Sequence, residues 1–180
     1  MRPMPGRLPL VAVLLDRDGT LICDVPYNGD PARVQPMPSA RAALDRLRAA
    51  DIKLAVVSNQ SGVGRGLISL AQVDAVNRRV EELLGPLGGF FVCPHMASDA
   101  CGCRKPQPGL VLQAAAALGV APGACAVIGD IGADVEAASR SGARPILVPT
   151  PVTRHEEISR APEHATTLLE AVELLLTERV

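Results

Sequence analysis

The run Leu10-Val11-Ala12-Val13-Leu14-Leu15 is apolar without interruption and stops on Asp16. A strand with one face in water alternates polar and apolar side chains, so an unbroken apolar run reads as a strand buried on both faces. Such a strand needs covering layers on both sides, and helical spacing supplies them. Ala40, Ala43, Leu44, Leu47 and Ala50 form one apolar stripe. Val73, Val76, Val80, Leu83 and Leu84 form a second, opened by the capping box Ser69-x-x-Gln72 and ended by Gly85-Pro86. Leu110, Val111, Ala114, Ala117 and Leu118 follow Pro108 and stop at Gly119. A helix over 133–141 stops at Gly142, and Thr167-x-x-Glu170 caps a last one carrying Leu168, Val172, Leu175 and Leu176. Between these lie short strand candidates at Lys53 to Val57, Phe90 to Val92, Cys125 to Ile128 and Ile146 to Val148. The alternation predicts an α/β fold, a doubly wound parallel sheet in a three-layer αβα sandwich with right-handed crossovers. The polar stretch from Thr153 to His164 reads as a surface connection.

The chain has 180 residues, the length of one domain, and no linker or repeat divides it, so residues 1–180 are expected to form a single unit. Aromatic residues make up 2 % of it, so the core must be aliphatic. The net charge of −1 and the lack of a basic run argue against nucleic acid or a membrane surface as partner. The apolar run from Leu8 to Leu15 is too short for a membrane span and contains Pro9. Five cysteines, an odd number, fit a reducing compartment such as the cytoplasm better than a disulfide scaffold. Of these, Cys23 and Cys125 read as small buried residues.

Polar residues gather where the apolar strands stop. The first strand ends in Asp16-Arg17-Asp18-Gly19-Thr20, the second in Ser58-Asn59-Gln60-Ser61-Gly62, and a later one in Gly129-Asp130, with Asp134 four residues on. Ligands of open α/β sheets bind outside the carboxyl ends of the strands. Asp16, Asp18 and Asp130 are hard oxygen ligands of like charge, and Mg²⁺ is the cation that suits them together with a substrate phosphate. With that charge and Lys105 neutralising a phosphoryl group, Asp16 can attack phosphorus. Asp18 can then protonate the leaving oxygen and later activate water. Ser58 and the backbone N–H groups near Gly19 can bind phosphate oxygens. Asp134 reads as a supporting group or a helix cap.

A second constellation is local. Cys93, His95, Cys101 and Cys103 fall within eleven positions and lead directly into Arg104-Lys105-Pro106. Three thiols and an imidazole complete a tetrahedral Zn²⁺ shell with no position open for water, so a metal held here shapes a loop, residues 93–105, and performs no catalysis.

Together these motifs resemble the haloacid dehalogenase (HAD) superfamily of phosphatases. Asp16-Arg17-Asp18-Gly19-Thr20-Leu21 matches its first motif, Val57-Ser58-Asn59 the second, Lys105 the third, and Gly129-Asp130 with Asp134 the fourth. The cysteine loop resembles the zinc-loop subgroup, which acts on D-glycero-D-manno-heptose 1,7-bisphosphate or on histidinol phosphate. The stretch Asn59-Gln60-Ser61-Gly62-Val63-Gly64-Arg65-Gly66 is similar to the heptose enzymes, whereas the short span between His95 and Cys101 is nearer the histidinol ones. The resemblance implies a HAD-like Rossmannoid sheet without a large cap and a Mg²⁺-dependent phosphatase of a small sugar phosphate. The heptose bisphosphate is the first expectation and histidinol phosphate the alternative. It implies substrate contacts from Asn59, Gln60, Ser61, Arg65 and Arg104, with Asp24 and Tyr27 flanking the sugar. Two positions depart from the heptose pattern: Ile22 stands where Asn is common, and Ile131 where a Lys often follows the fourth-motif Asp. The expected protein is a monomer with an open site. A rival of another class, a noncatalytic zinc-organised binding module, would have no use for Asp16, Asp18, Lys105 and Asp130 together.

Overall fold

The computed structural model describes residues 8–177, so the outermost positions of the expected 1–180 domain lie outside the described residues. Five parallel strands form one sheet: β1 (Ala12–Leu15), β2 (Lys53–Asn59), β3 (Phe90–Cys93), β4 (Cys125–Gly129) and β5 (Arg144–Leu147), in the order β3-β2-β1-β4-β5. The crossovers are α1 (Ala40–Ala49) between β1 and β2, and α2 (Ser61–Gly64) with α3 (Leu70–Leu84) between β2 and β3. Next come α4 (Gly109–Leu118), α5 (Gly132–Ser141), α6 (His155–Arg160) and α7 (Leu168–Thr177). The predicted α/β architecture is the one observed.

The central strand is buried throughout, as its unbroken apolar run requires. Its side chains alternate between two different faces. Val13 and Leu15 enter the larger core, with Leu44, Leu47, Val76, Val80, Val172 and Leu175 from α1, α3 and α7. Ala12 and Leu14 enter the smaller one, against Leu110, Ala114, Ala137 and Ala138 of α4 and α5. Alanines let those two helices lie close to the sheet. Each fully buried leucine or valine stabilises the fold by about 1.5–3 kcal/mol, so both faces are needed to offset chain entropy.

Four local readings need correction. The last strand runs over Arg144–Leu147 and stops before Val148. The first strand starts at Ala12, although Lys53 still donates to the Val11 carbonyl (3.0 Å). The second strand runs on through Ser58 and Asn59, which pair with Val92 and Cys93 of β3. The stretch 153–164 is more than a surface connection. It contains α6, places Thr153 in a buried position, and returns to the sheet through a bridge between Leu147 and His164. The cause is visible in contacts that no local pattern announces: the Thr153 hydroxyl donates to the Asp130 carbonyl (2.7 Å), and Gly132 N–H donates to Glu157 (3.1 Å).

The long connection after β1 also folds inward. Leu21, Ile22 and Val34 are buried in the larger core, and Ile22 bridges both Asp18 and Pro36. Ile22 is therefore an apolar anchor of the loop. The capping box at Ser69 is present as predicted, with Gln72 N–H on Ser69 Oγ (3.2 Å) and Ser69 N–H on Gln72 Oε1 (2.9 Å).

Candidate active site

The carboxyl ends of β1, β2 and β4 meet at a lysine. Lys105 is 4 % exposed, and its three N–H bonds are all used: Asp16 Oδ1 at 2.7 Å, the Val57 carbonyl at 2.8 Å and Asp134 Oδ1 at 2.6 Å. An ammonium with three donors and three fixed acceptors has one orientation. Asp16 continues the β1 ladder, donating its N–H to Ile128 (2.9 Å). Asp130 follows the last residue of β4. The carboxylate oxygens of Asp16, Asp130 and Asp134 lie within 4.8 Å of one another. The backbone is shaped to allow this. Gly19 has φ +82° and Gly129 has no side chain, and a Cβ on them would strike the carboxylates of Asp130 and Asp134 respectively.

Three carboxylates against one ammonium leave a formal charge of −2. Two like charges at about 5 Å repel by roughly 3 kcal/mol at an effective dielectric near 20. The cost appears in their acidities. Burial, opposed by Lys105 and reinforced by Asp134, pushes Asp16 up from 3.8 to about 7. Burial and the charges of Asp16 and Asp134 push Asp130 up to about 8. Lys105 is held above its usual value because Asp134 and Asp16 outweigh its burial. A lysine and its partner aspartate both shifted upward means one cation shared among too many anions. A divalent cation cancels the remaining charge, and oxygen donors are the ligands Mg²⁺ prefers.

The individual carboxylates differ in what they can give it. Asp134 is held by the protein through both oxygens: Oδ1 accepts from Lys105 and Oδ2 from the Ile131 N–H (3.2 Å) at the start of α5. It is both cap and lysine anchor, uniting the two roles read from the sequence. Asp18, expected beside the cation, turns its carboxylate elsewhere. It accepts from Arg17 Nη2 (3.0 Å), Arg17 Nε (3.2 Å) and Gln60 Nε2 (2.8 Å). The carboxylate oxygens that gather at the strand ends are those of Asp16, Asp130 and Asp134.

The residues expected to touch substrate divide into two sets. Asn59 is spent on the protein: its amide accepts from Lys105 N–H and donates to the Lys105 carbonyl, both at 3.0 Å. Gln60 is 6 % exposed and links Asp18 to Ser58 Oγ (2.8 Å). Arg104 donates back to the His95 carbonyl (3.4 Å). The polar contacts of these three are made to the protein itself. By contrast, Tyr27 is 47 % exposed, holds φ +53°, and carries the Arg65 guanidinium 5.9 Å over its ring. A tyrosine in the left-handed region is strained, and such residues cluster where ligands are clamped. Ser61 opens α2 beside them. Asp24 lies near enough to Asp18 and Arg17 to feel both, and burial with the Asp18 charge raises its pKa above the usual carboxylate value. The sequence assigns no role to Arg17, Asn77 or Thr153; the Arg17–Asn77 and Thr153–Asp130 bonds join residues remote in the chain, and no spacing rule marks them.

The thiol cluster closes as its spacing predicts. Cys93 Sγ lies 3.4 Å from His95 Nδ1, 3.6 Å from Cys101 Sγ and 3.2 Å from Cys103 Sγ. Cys103 Sγ is 3.3 Å from His95 Nδ1 and 3.5 Å from Cys101 Sγ. A tetrahedral Zn²⁺ site with bonds of about 2.0–2.3 Å needs ligand separations only slightly longer, roughly 3.3–3.8 Å. Burial pushes the Cys93 thiol up to about 12. Against its own burial, the Arg104 N–H and the neighbouring thiols bring Cys101 down to about 6. The loop docks on the β2 end, where Gln60 N–H donates to the Cys93 carbonyl (2.7 Å) and Gly64 N–H to the Pro94 carbonyl (2.9 Å).

Comparison with known proteins agrees with this geometry. A family described as "HAD-hyrolase-like" matches residues 102–175. The D-glycero-beta-D-manno-heptose-1,7-bisphosphate 7-phosphatase of Pseudomonas aeruginosa is 38 % identical over 143 residues, 77 % of this chain and 80 % of that protein. The D-glycero-alpha-D-manno-heptose-1,7-bisphosphate 7-phosphatase of Mycobacterium tuberculosis is 43 % identical over 106 residues, 56 % of each chain. The crystal structure of D,D-heptose 1,7-bisphosphate phosphatase from B. bronchiseptica, complexed with magnesium and phosphate, superposes with a TM-score of 0.82 at 28 % identity. The match covers 95 % of this chain and 99 % of that one.

Proposed function

Since the chain belongs to the HAD-like hydrolases and is a phosphoric monoester hydrolase, we propose that it removes the 7-phosphate of D-glycero-D-manno-heptose 1,7-bisphosphate through a phosphoaspartate on Asp16. The observation that carries the mechanism is the Lys105 ammonium between Asp16 and Asp134 with Asp130 alongside. The substrate rests on the activity of the relatives and on the exposed pair of Arg65 and the strained Tyr27.

Asp16 and Asp130 are the carboxylates that hold the magnesium. When bound, Mg²⁺ supplies the positive charge that lets an anionic nucleophile approach an anionic phosphoryl group. Lys105 holds Asp16 in one orientation and neutralises part of the developing charge. An Asp16 oxygen attacks phosphorus, the P–O ester bond breaks, and the departing oxygen takes a proton from Asp18. Asp18, now a carboxylate, accepts a proton from water as that water attacks phosphorus. Phosphate leaves and Asp16 is restored. Ser58 supplies a hydroxyl to the phosphate, and Arg65 with Tyr27, Ser61 and Asp24 faces the sugar and its second phosphate.

Cys93, His95 through Nδ1, Cys101 and Cys103 hold a structural Zn²⁺. The loop they close delivers Lys105 by way of the paired hydrogen bonds to Asn59. The protein works as one domain and as a monomer in the cytoplasm, where thiols stay reduced. Among the described residues no helix is long and apolar enough to cross a membrane.

The test is a phosphate-release panel with and without Mg²⁺. It compares both anomers of the heptose 1,7-bisphosphate, histidinol phosphate and 4-nitrophenyl phosphate. One heptose anomer is expected to exceed histidinol phosphate in kcat/KM by about 100-fold or more, because a site built for polar sugar contacts rejects a ligand that leaves them unpaired. A higher kcat/KM for histidinol phosphate overturns the substrate assignment.

A further inference from the structure

A buried cation lies beside the acid–base group, outside the machinery assigned so far. Arg17 is 1 % exposed and is the largest of the fully buried side chains. Burying a guanidinium is costly unless it is well paired, and an apolar residue of similar volume would serve a core at least as well. Its partners show what the cost supports. Nε lies 3.3 and 3.2 Å from the two oxygens of Asp18, and Nη2 lies 3.0 Å from Oδ2. This is a fork on one carboxylate, a geometry that a lysine cannot reproduce. The remaining arm, Nη1, donates to Asn77 Oδ1 at 2.8 Å.

Asn77 is itself out of place. It is 5 % exposed on the inner side of α3, whose other buried residues are Val73, Val76, Val80 and Leu84. An amide there is costly unless it is bonded. One local rule is therefore broken twice, at Arg17 and Asn77, and the two exceptions meet each other and then Asp18. Such paired violations mark functional positions rather than core design. Asp18 keeps 23 % of its side chain exposed, so its protein-facing side is gripped while another part stays open.

We propose that Arg17, anchored by Asn77, is the positioning residue of the Asp18 acid–base carboxylate; this rests on the role given to Asp18 above. The guanidinium ties that carboxylate to α3, and Gln60 ties it to the end of β2. Asp18 is thereby fixed relative to Asp16 from two sides of the sheet end. Proton transfer to a leaving oxygen demands placement within a fraction of an ångström, which a single rotatable carboxylate lacks.

The test exploits leaving-group chemistry. A sugar alkoxide needs a proton to depart; 4-nitrophenolate does not. The parameter is kcat/KM, which reports events up to ester cleavage and is blind to later hydrolysis of the phosphoenzyme. Arg17→Lys and Asn77→Ala are compared with wild type on heptose 1,7-bisphosphate and on 4-nitrophenyl phosphate, with Asp18→Asn as reference and circular dichroism melts to confirm folding. Arg17→Lys is expected to lose about 10- to 100-fold on the sugar phosphate and less than about 3-fold on the aryl phosphate, Asn77→Ala showing the same bias more weakly. Equal losses on both substrates, or none, overturn the proposal, because disturbed folding or binding has no reason to follow leaving-group basicity. If Asp18→Asn shows no such bias, the acid–base assignment fails and the Arg17 role falls with it. If Asp18→Asn shows it and both other variants do not, only the Arg17 role is wrong. Should Arg17→Lys not fold, Asn77→Ala decides by the same ratio.

Discussion

The molecule carries two clusters of metal-type ligands, and they are built in opposite ways. Cys93, His95, Cys101 and Cys103 come from one short segment and approach each other to 3.2–3.6 Å, with Cys93 buried and His95 exposed. Asp16, Asp130 and Asp134 come from the ends of β1 and β4 and the first turn of α5, and all three are at most 9 % exposed. The thiol cluster is closed in coordination: its four ligands would fill the shell of a tetrahedral cation and leave no vacancy. The carboxylate cluster is deliberately unfinished, with an excess of negative charge and a lysine that is fully committed. A closed site can only hold shape. An unfinished one can accept a cation and then a phosphate. Asn59 connects them, clasping the main chain of Lys105 where the loop rejoins the catalytic end of the sheet.

The difference is sharpest at Asp16. Asp16→Asn is expected to lower turnover on the order of 10⁴-fold, as removal of a nucleophile does. The fold should melt at the same or a higher temperature, since one member of a repelling group is gone. A large drop in melting temperature would make Asp16 a structural residue and dissolve the contrast. Cys101→Ser should behave the other way, with bound zinc lost in elemental analysis and activity falling about 10- to 100-fold, the range seen when a ligand's support is removed. Retained zinc with full activity would detach the loop from the reaction. Between these lies Asn59→Ala. It should cost about 1–3 kcal/mol of stability for two part-buried hydrogen bonds, with a decrease in kcat larger than any change in KM. A selective rise in KM would return Asn59 to the role of substrate contact that its sequence position suggests.

Acidity gives a subtler handle on the unfinished cluster. Asp16 and Asp130 ionise near 7 and 8 in the metal-free fold against 3.8 outside it. The folded state therefore holds more protons than the unfolded one between these values. Linkage then makes metal-free stability fall as pH rises through that window. Added Mg²⁺ should restore it most strongly at the alkaline end, where no proton has to be displaced. Urea melts at about pH 5 and about pH 8.5, with and without Mg²⁺, measure the sign; a metal-free protein that gains stability toward pH 8.5 contradicts the charge excess described here.

What could be read in advance follows the same division. The Cys/His loop was legible because its ligands are neighbours in sequence, and Asp16, Lys105 and Asp130 because each ends an apolar strand or follows that loop. The role of Asn59 was not legible: an amide after a strand looks the same whether it meets a sugar or a backbone 46 residues away. Asp18 likewise gives no sign in sequence that its carboxylate turns toward Arg17 and Gln60. Thr153, which steadies the Asp130 loop, sits in a stretch with no period at all, since one hydroxyl bond organises it and periodicity does not. Helix α6 is too short to announce itself against its polar surroundings.

The most direct measurement is to quench turnover in acid and search the digested protein by mass spectrometry for a phosphoryl adduct. The proposed nucleophile is Asp16, on the strand end that Lys105 grips, so the adduct should map to Asp16, disappear with hydroxylamine and be missing without Mg²⁺. Steady turnover with no adduct on Asp16, or an adduct on another residue, would contradict it.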